Sequence, residues 1–217
     1  AMRDFDADDS QAVAVLSGAG GAFCAGADLK QVAGSSDYVA WAGDPDGPTN
    51  PTLSKPVIAA VEGHAVAGGL GIALWCDIRI VDETTVFGVF CRRWGVPMSD
   101  GTTVRLPRLI GAARALDMLI TGRGVNADEA IDWGLATRRA AKGQTRQVAE
   151  ELALQIAGFP QIAMRSDRMS AYKQAGQTME DAVRTEKELS QEAKAIEASE
   201  GAARFATGAG RHGEFSE

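Results

Sequence analysis

The sequence has little histidine, little cysteine and no basic excess. Two histidines occur in 217 residues. Only His64 falls in a stretch that reads as structured, which argues against His-rich metal centres and His-based triads. The three cysteines, Cys24, Cys76 and Cys91, are widely spaced, set among apolar residues and form no CxxC pair. That pattern argues against a disulfide framework or a zinc site and for a reducing compartment. Lys and Arg number 22 against 29 Asp and Glu, a net charge of −7. Neither nucleic acid nor an anionic membrane is an expected partner. A phosphate-bearing ligand would need local cations and backbone N–H groups to hold it. The longest apolar run, 65–76, has 12 residues and is broken by glycine. It is too short to span a bilayer. Residues 1–4 open into a polar, acidic stretch with no apolar signal segment. A cytoplasmic protein is expected.

Glycine is what the chain has in excess, with 25 residues. Hydrophobic residues at 45% and charged residues at 24% give a globular composition, enough for one domain or two small ones. The glycines cluster. Gly18, Gly20, Gly21 and Gly26 form one group, Gly63, Gly68, Gly69 and Gly71 a second, and Gly88, Gly95 and Gly101 a third.

Three short apolar runs, 12–17, 56–61 and 77–81, read as strands. The stretch from Gly68 to Trp75 has the length of two helical turns. Strand, glycine turn, helix and strand in succession predict parallel α/β packing. Residues 34–50 are rich in Gly, Ser, Asp and Pro and read as a surface loop or lid. Helices follow from about residue 110. They are expected over 112–121, from an Asn126 cap through Trp133, over 147–157 and over 162–175. A single long helix is expected over 178–199, with Met179, Val183, Leu189, Ala193 and Ile196 at helical spacing. Its narrow apolar stripe suits a solvated surface helix or a contact with another subunit.

The first two glycine clusters carry the chemistry. Each follows a strand and contains Ala and Gly in tight succession, which lets a ligand approach the main chain. A strand end followed by a helix start leaves N–H groups unpaired. Two such turns side by side can aim two N–H groups at one oxygen, an oxyanion hole built from backbone. Gly18-Ala19-Gly20 also hints at a dinucleotide fingerprint, but Phe23 stands where a third small residue belongs. Glycine turns can equally be structural, and the first cluster alone fits that reading.

Residues 22–30, Ala-Phe-Cys-Ala-Gly-Ala-Asp-Leu-Lys, resemble the first oxyanion-hole motif of the crotonase (enoyl-CoA hydratase/isomerase) superfamily. Residues 63–71 followed by Cys76-Asp77-Ile78-Arg79 resemble the second. Thr121-Gly122-Arg123, 127–135 and 200–205 extend the likeness over nearly the whole chain. The resemblance implies an α/β fold: a crotonase-like ββα spiral core over 1–140, with its N-terminal part missing, and a C-terminal helical trimerisation region over 141–217. It implies an acyl-CoA substrate, no cofactor beyond the CoA carried on that substrate, and a homotrimer or hexamer. The N–H groups of Ala27 and Gly68 would hold the thioester carbonyl and stabilise an enolate. Backbone around Ala25 and Leu29 would line the CoA, with Lys30 near its nucleotide end or simply solvated.

The sequence departs from the family's hydratases at two positions. The resemblance puts their two catalytic glutamates at Gly71 and at Cys91 or a near neighbour, and 89–94 holds no acid. A hydratase needs paired carboxylates to position and split water, so hydration is not expected. Asp100, in Ser99-Asp100-Gly101, is the remaining acid. It reads as a proton carrier or nucleophile, or as an ordinary turn aspartate. Arg92 and Arg93 suit an anion or a structural role. His64 is expected to be packed and hydrogen-bonded, and Trp94 to pack in the core, with walling an acyl pocket as its other role. The two functional readings are an enolate-forming acyl-CoA enzyme of the lyase or isomerase type and a non-catalytic acyl-CoA binder.

Overall fold

The computed structural model describes residues 1–34, 47, 49 and 52–210. The lid expected over 34–50 lies almost entirely outside them. The described residues fall into two compact units, Ala1–Ile156 and Ala157–Glu217. The expected division at 140–141 lies within the first.

The first unit opens with helix α1 (Met2–Ala7) and strand β1 (Ala14–Ser17). The short helix α2 (Leu29–Gly34) precedes strands β2 (Val57–Val61) and β3 (His64–Val66). Helix α3 (Gly68–Trp75) leads into β4 (Ile78–Val81) and β5 (Val86–Gly88). A 3₁₀ turn over Phe90–Trp94 precedes α4 (Thr102–Ile110) and α5 (Ala112–Thr121). Strand β6 (Gly124–Asn126), α6 (Ala127–Asp132), β7 (Arg138–Arg139) and α7 (Thr145–Ala157) follow.

Two sheets result. One has the order β1-β2-β4-β7, all parallel; the other has the order β3-β5-β6, with β3 and β5 parallel and β6 antiparallel. The chain twice passes from a strand of the first sheet, within a few residues, to a strand of the second and on into helix: β2-β3-α3, then β4-β5-α4. That is the ββα repeat the family resemblance implied. β2 is buried at every residue, as a parallel strand covered on both faces must be. Helix α3 is apolar all round, and six of its residues are buried.

Buried cations tie this core together through carbonyls. Lys55 is 1% exposed. Its ammonium donates to the carbonyls of Phe5 (3.0 Å) and Asp8 (2.6 Å), holding α1 against the entry to β2. Arg79, in β4, donates to the carbonyls of Leu135, Ala73 and Cys76, so it grips the C-terminal end of α3.

The second unit holds α8 (Gln161–Lys173), α9 (Met179–Leu189), α10 (Gln191–Ile196) and α11 (Ala198–Ala206). The single helix expected over 178–199 is thus three segments. Thr178 caps α9 by accepting from Asp181 N–H, but the run breaks at Ser190 and again at Glu197. Glu197 stands at the second break. Its carboxylate accepts from the N–H groups of Ile162 (3.0 Å) and Ala163 (2.8 Å), capping α8. No described helix is long and apolar enough to cross a membrane.

Candidate functional site

The site is set by how Cys24 meets β3. Cys24 pairs with Ala65 as an isolated parallel bridge. Its N–H donates to His64 O and its carbonyl accepts from Val66 N–H, both at 3.0 Å. The chain therefore leaves two parallel neighbours at one level, through Ala25-Gly26-Ala27 on one side and Ala67-Gly68 on the other. The Ala25-Gly26-Ala27 turn follows this bridge, whereas Gly18, Gly20 and Gly21 follow β1, which belongs to the other sheet.

The two turns touch. A methyl group on Gly26, whose φ is +86°, would lie 2.8 Å from the Gly68 nitrogen. A methyl on Gly69 would lie 2.0 Å from Cys24 O. Only glycine fits at these contacts. Ala67 is the one non-glycine with positive φ (+50°) among the described residues. Such a conformation costs on the order of 1–3 kcal/mol and persists where surrounding structure enforces it. Here Ala67 N–H donates to Gly88 O at 2.9 Å, while its carbonyl accepts from Leu70 and Gly71 to start α3. Among the described residues, the N–H groups of Ala27 and Gly68 have no protein partner.

These turns form one wall of a cavity of about 560 Å³. Ala25, Gly26, Ala27, Leu29, Val66, Ala67 and Gly68 line that wall; Phe90, Cys91, Trp94, Val96, Pro97, Met98, Ser99 and Asp100 line the rest. The size suits a small-molecule site, and the lining is mostly apolar with a few polar groups. Asp100 is its one lining carboxylate among the described residues and is only 6% exposed. One carboxylate oxygen accepts from Thr102 N–H at 3.0 Å. The other, Oδ2, reaches α3: a methyl on Gly68 would be 4.0 Å from it, and a methyl on Gly71 only 2.1 Å. Arg105 braces the loop by donating to the carbonyls of Asp100 (3.0 Å) and Thr49 (2.8 Å).

A family model described as enoyl-CoA hydratase/isomerase matches residues 1–209. A probable enoyl-CoA hydratase of Rhizobium meliloti is 35% identical over 99% of this chain and 84% of its own length. A carnitinyl-CoA dehydratase of Proteus mirabilis is 39% identical over 74% of this chain and 63% of its own. The crystal structure of an enoyl-CoA hydratase from Mycobacterium marinum superposes with a TM-score of 0.88 at 31% identity, covering 95% of this chain and 82% of that one. The chain belongs to the enoyl-CoA hydratase/isomerase family.

In this hydratase/isomerase-family protein, the structure gathers Ala25, Ala27, Leu29, Gly68 and Asp100 around one cavity. Lys30 is exposed and does not line it; its N–H donates to Asp28 Oδ1. Asp100 makes the bond to a turn N–H that its turn reading calls for, and it also lines the cavity. Two expectations are corrected. Trp94 is 70% exposed and lines the cavity, because its 3₁₀ turn sits at the rim and not in the core. His64 is exposed, with its ring edge-on to Phe90 at 6.3 Å, because it opens β3 on the outward side. Arg92 and Arg93 donate to the carbonyls of Leu119 and Gly122 and so cap the end of α5. The Cys91 thiol lines the cavity 3.1 Å from the Met98 thioether, and burial pushes its pKa up. A raised pKa keeps it neutral and poorly nucleophilic. The roles of Ala67, Arg105 and Thr102 carry no spacing signal in the sequence.

Proposed function

We propose that this protein binds an acyl-CoA thioester and moves a proton along the acyl chain, acting as an enoyl-CoA isomerase. The observation that carries this reading is that, among the described residues, one buried carboxylate, Asp100, lines the same cavity as the unpartnered N–H groups of Ala27 and Gly68. The thioester oxygen would accept from both N–H groups. Asp100 would take a proton from the α carbon of a β,γ-unsaturated acyl group. The C–H electron pair flows into a dienolate whose charge sits on the held oxygen. Asp100 then returns the proton to the γ carbon, the carbonyl re-forms, and the double bond ends between the α and β carbons. One proton station suffices, and no water is consumed. Hydration would need a second carboxylate, and the family resemblance puts that pair at Gly71 and at Cys91 or a near neighbour, where 89–94 holds no acid. Backbone at Ala25 and Leu29 would line the CoA, with Lys30 outside near the nucleotide. A trimer or hexamer in a reducing, cytoplasmic setting is the assembly we expect.

The test is turnover of two substrates by the purified chain. A β,γ-enoyl-CoA should convert to its α,β-conjugated isomer, with deuterium placed at the α carbon carried at least in part to the γ carbon. Asp100→Asn should lower kcat by about 10²–10⁴-fold with KM little changed. Brisk hydration of crotonyl-CoA would overturn the reading. Tight binding of both thioesters without turnover would favour the non-catalytic binder.

A further inference from the structure

The space in front of Gly71 is filled by the Asp100 carboxylate. A methyl on Gly71 would lie 2.1 Å from Asp100 Oδ2, 2.4 Å from Cγ and 3.0 Å from Oδ1. All three atoms of the carboxyl group occupy the direction a side chain would take. Atoms do not approach so closely without displacement. Asp100 has little freedom to yield. It is 6% exposed, its other oxygen is held by Thr102 N–H at 3.0 Å, and its carbonyl is held by Arg105 at 3.0 Å.

Gly71 is not there for its backbone. It lies inside α3 and is absent from the glycines with positive φ. In a helix interior alanine is favoured over glycine. The missing side chain is therefore a local weakness that backbone geometry does not require. Its one evident consequence is room for a carboxylate arriving from the loop before α4.

We propose that Gly71 is a positioning residue: its missing side chain seats the Asp100 carboxylate against α3, so this cavity takes its carboxylate from the loop and excludes one from the helix. The inference rests on the proposed role of Asp100 for its catalytic meaning, but its packing content stands separately. Gly71 touches no substrate in this account. It acts through Asp100.

The test is a cycle of four proteins: wild type, Gly71→Ala, Asp100→Ala and the double variant. Thermal midpoints and isomerase kinetics are measured on each. Alanine at 71 should lower the midpoint by several degrees when Asp100 is present and raise it when Asp100 is alanine, because only helix propensity then remains. With Asp100 present, G71A should lower kcat at least about tenfold and leave KM within about twofold, the signature of a displaced proton carrier. A G71A chain that folds only when Asp100 is also replaced supports the proposal in the same sense. An equal midpoint shift in both backgrounds, misfolding in both, or an unchanged kcat in an active enzyme overturns it. If the wild type isomerises nothing, the proposed function fails, and the thermal cycle alone still decides whether Gly71 seats Asp100.

Discussion

A methyl group missing from residue 26 keeps the Gly68 N–H open to the cavity. With φ at +86° and only 2.8 Å between a would-be Cβ and the Gly68 nitrogen, Gly26→Ala would cover the donor and strain its own turn. The loss should resemble removal of one oxyanion donor, about 10²–10³-fold in kcat. Steady-state kinetics on a β,γ-enoyl-CoA would measure it; a variant with wild-type kcat would mean the Gly68 N–H is not used. The sequence made Gly26 and Gly68 legible, because two small-residue turns after extended segments is a local pattern. It did not make the Asp100–Gly71 contact legible. That contact joins a loop and a helix 29 positions apart in the chain, and Ser-Asp-Gly on its own is turn chemistry. Trp94 and His64 failed for a related reason. Their types suggest burial, but the elements that carry them end at the surface.

At the scale of elements, caps and periodicity were good guides where an element is self-contained. Helices α3 and α5 fall on their expected limits, and Asn126 caps α6 by accepting from Glu129 N–H at 3.0 Å. The strands β3, β5 and β6 are three residues each, too short for alternation to register. The contact that Glu197 makes at its break was invisible because its partner, the start of α8, lies 35 residues away. That cap is testable within the second unit. Glu197→Ala strips an anion and two acceptors from the helix N-terminus, a loss of about 1–2 kcal/mol. Amide exchange at Ile162 and Ala163 should accelerate about tenfold or more, while α9 exchanges as before. Equal protection in both proteins would mean that the cap contributes nothing.

For the molecule as a whole, buried charges connect distant pieces of the first unit. Arg79 is 3% exposed and joins β4 to the end of α3 and to Leu135. Arg79→Met would keep the volume and leave those carbonyls without their donors. A destabilisation of about 3 kcal/mol or more is expected in urea unfolding. Asp82 does the equivalent work as an anion and makes the stability sensitive to acid. Burial alone would raise its carboxyl, but bonds from the Thr84 hydroxyl (2.5 Å), Gly143 N–H (2.9 Å) and Thr84 N–H (2.9 Å) hold it below the ordinary carboxylate value. A carboxyl depressed in the folded state binds its proton more readily when unfolded. Its contribution is therefore complete above the unfolded value of about 3.9 and disappears as pH falls through the lower folded value. Asp82→Asn turns one acceptor oxygen into a donor facing other donors. The variant should be less stable at neutral pH by about 1.5–3 kcal/mol. The gap between wild type and variant should then narrow as the pH is lowered below about 4. Taking the difference between the two proteins cancels the titration of every other carboxylate. A gap that stays constant from neutral pH into acid would show that the network around Asp82 does not distinguish its charged form.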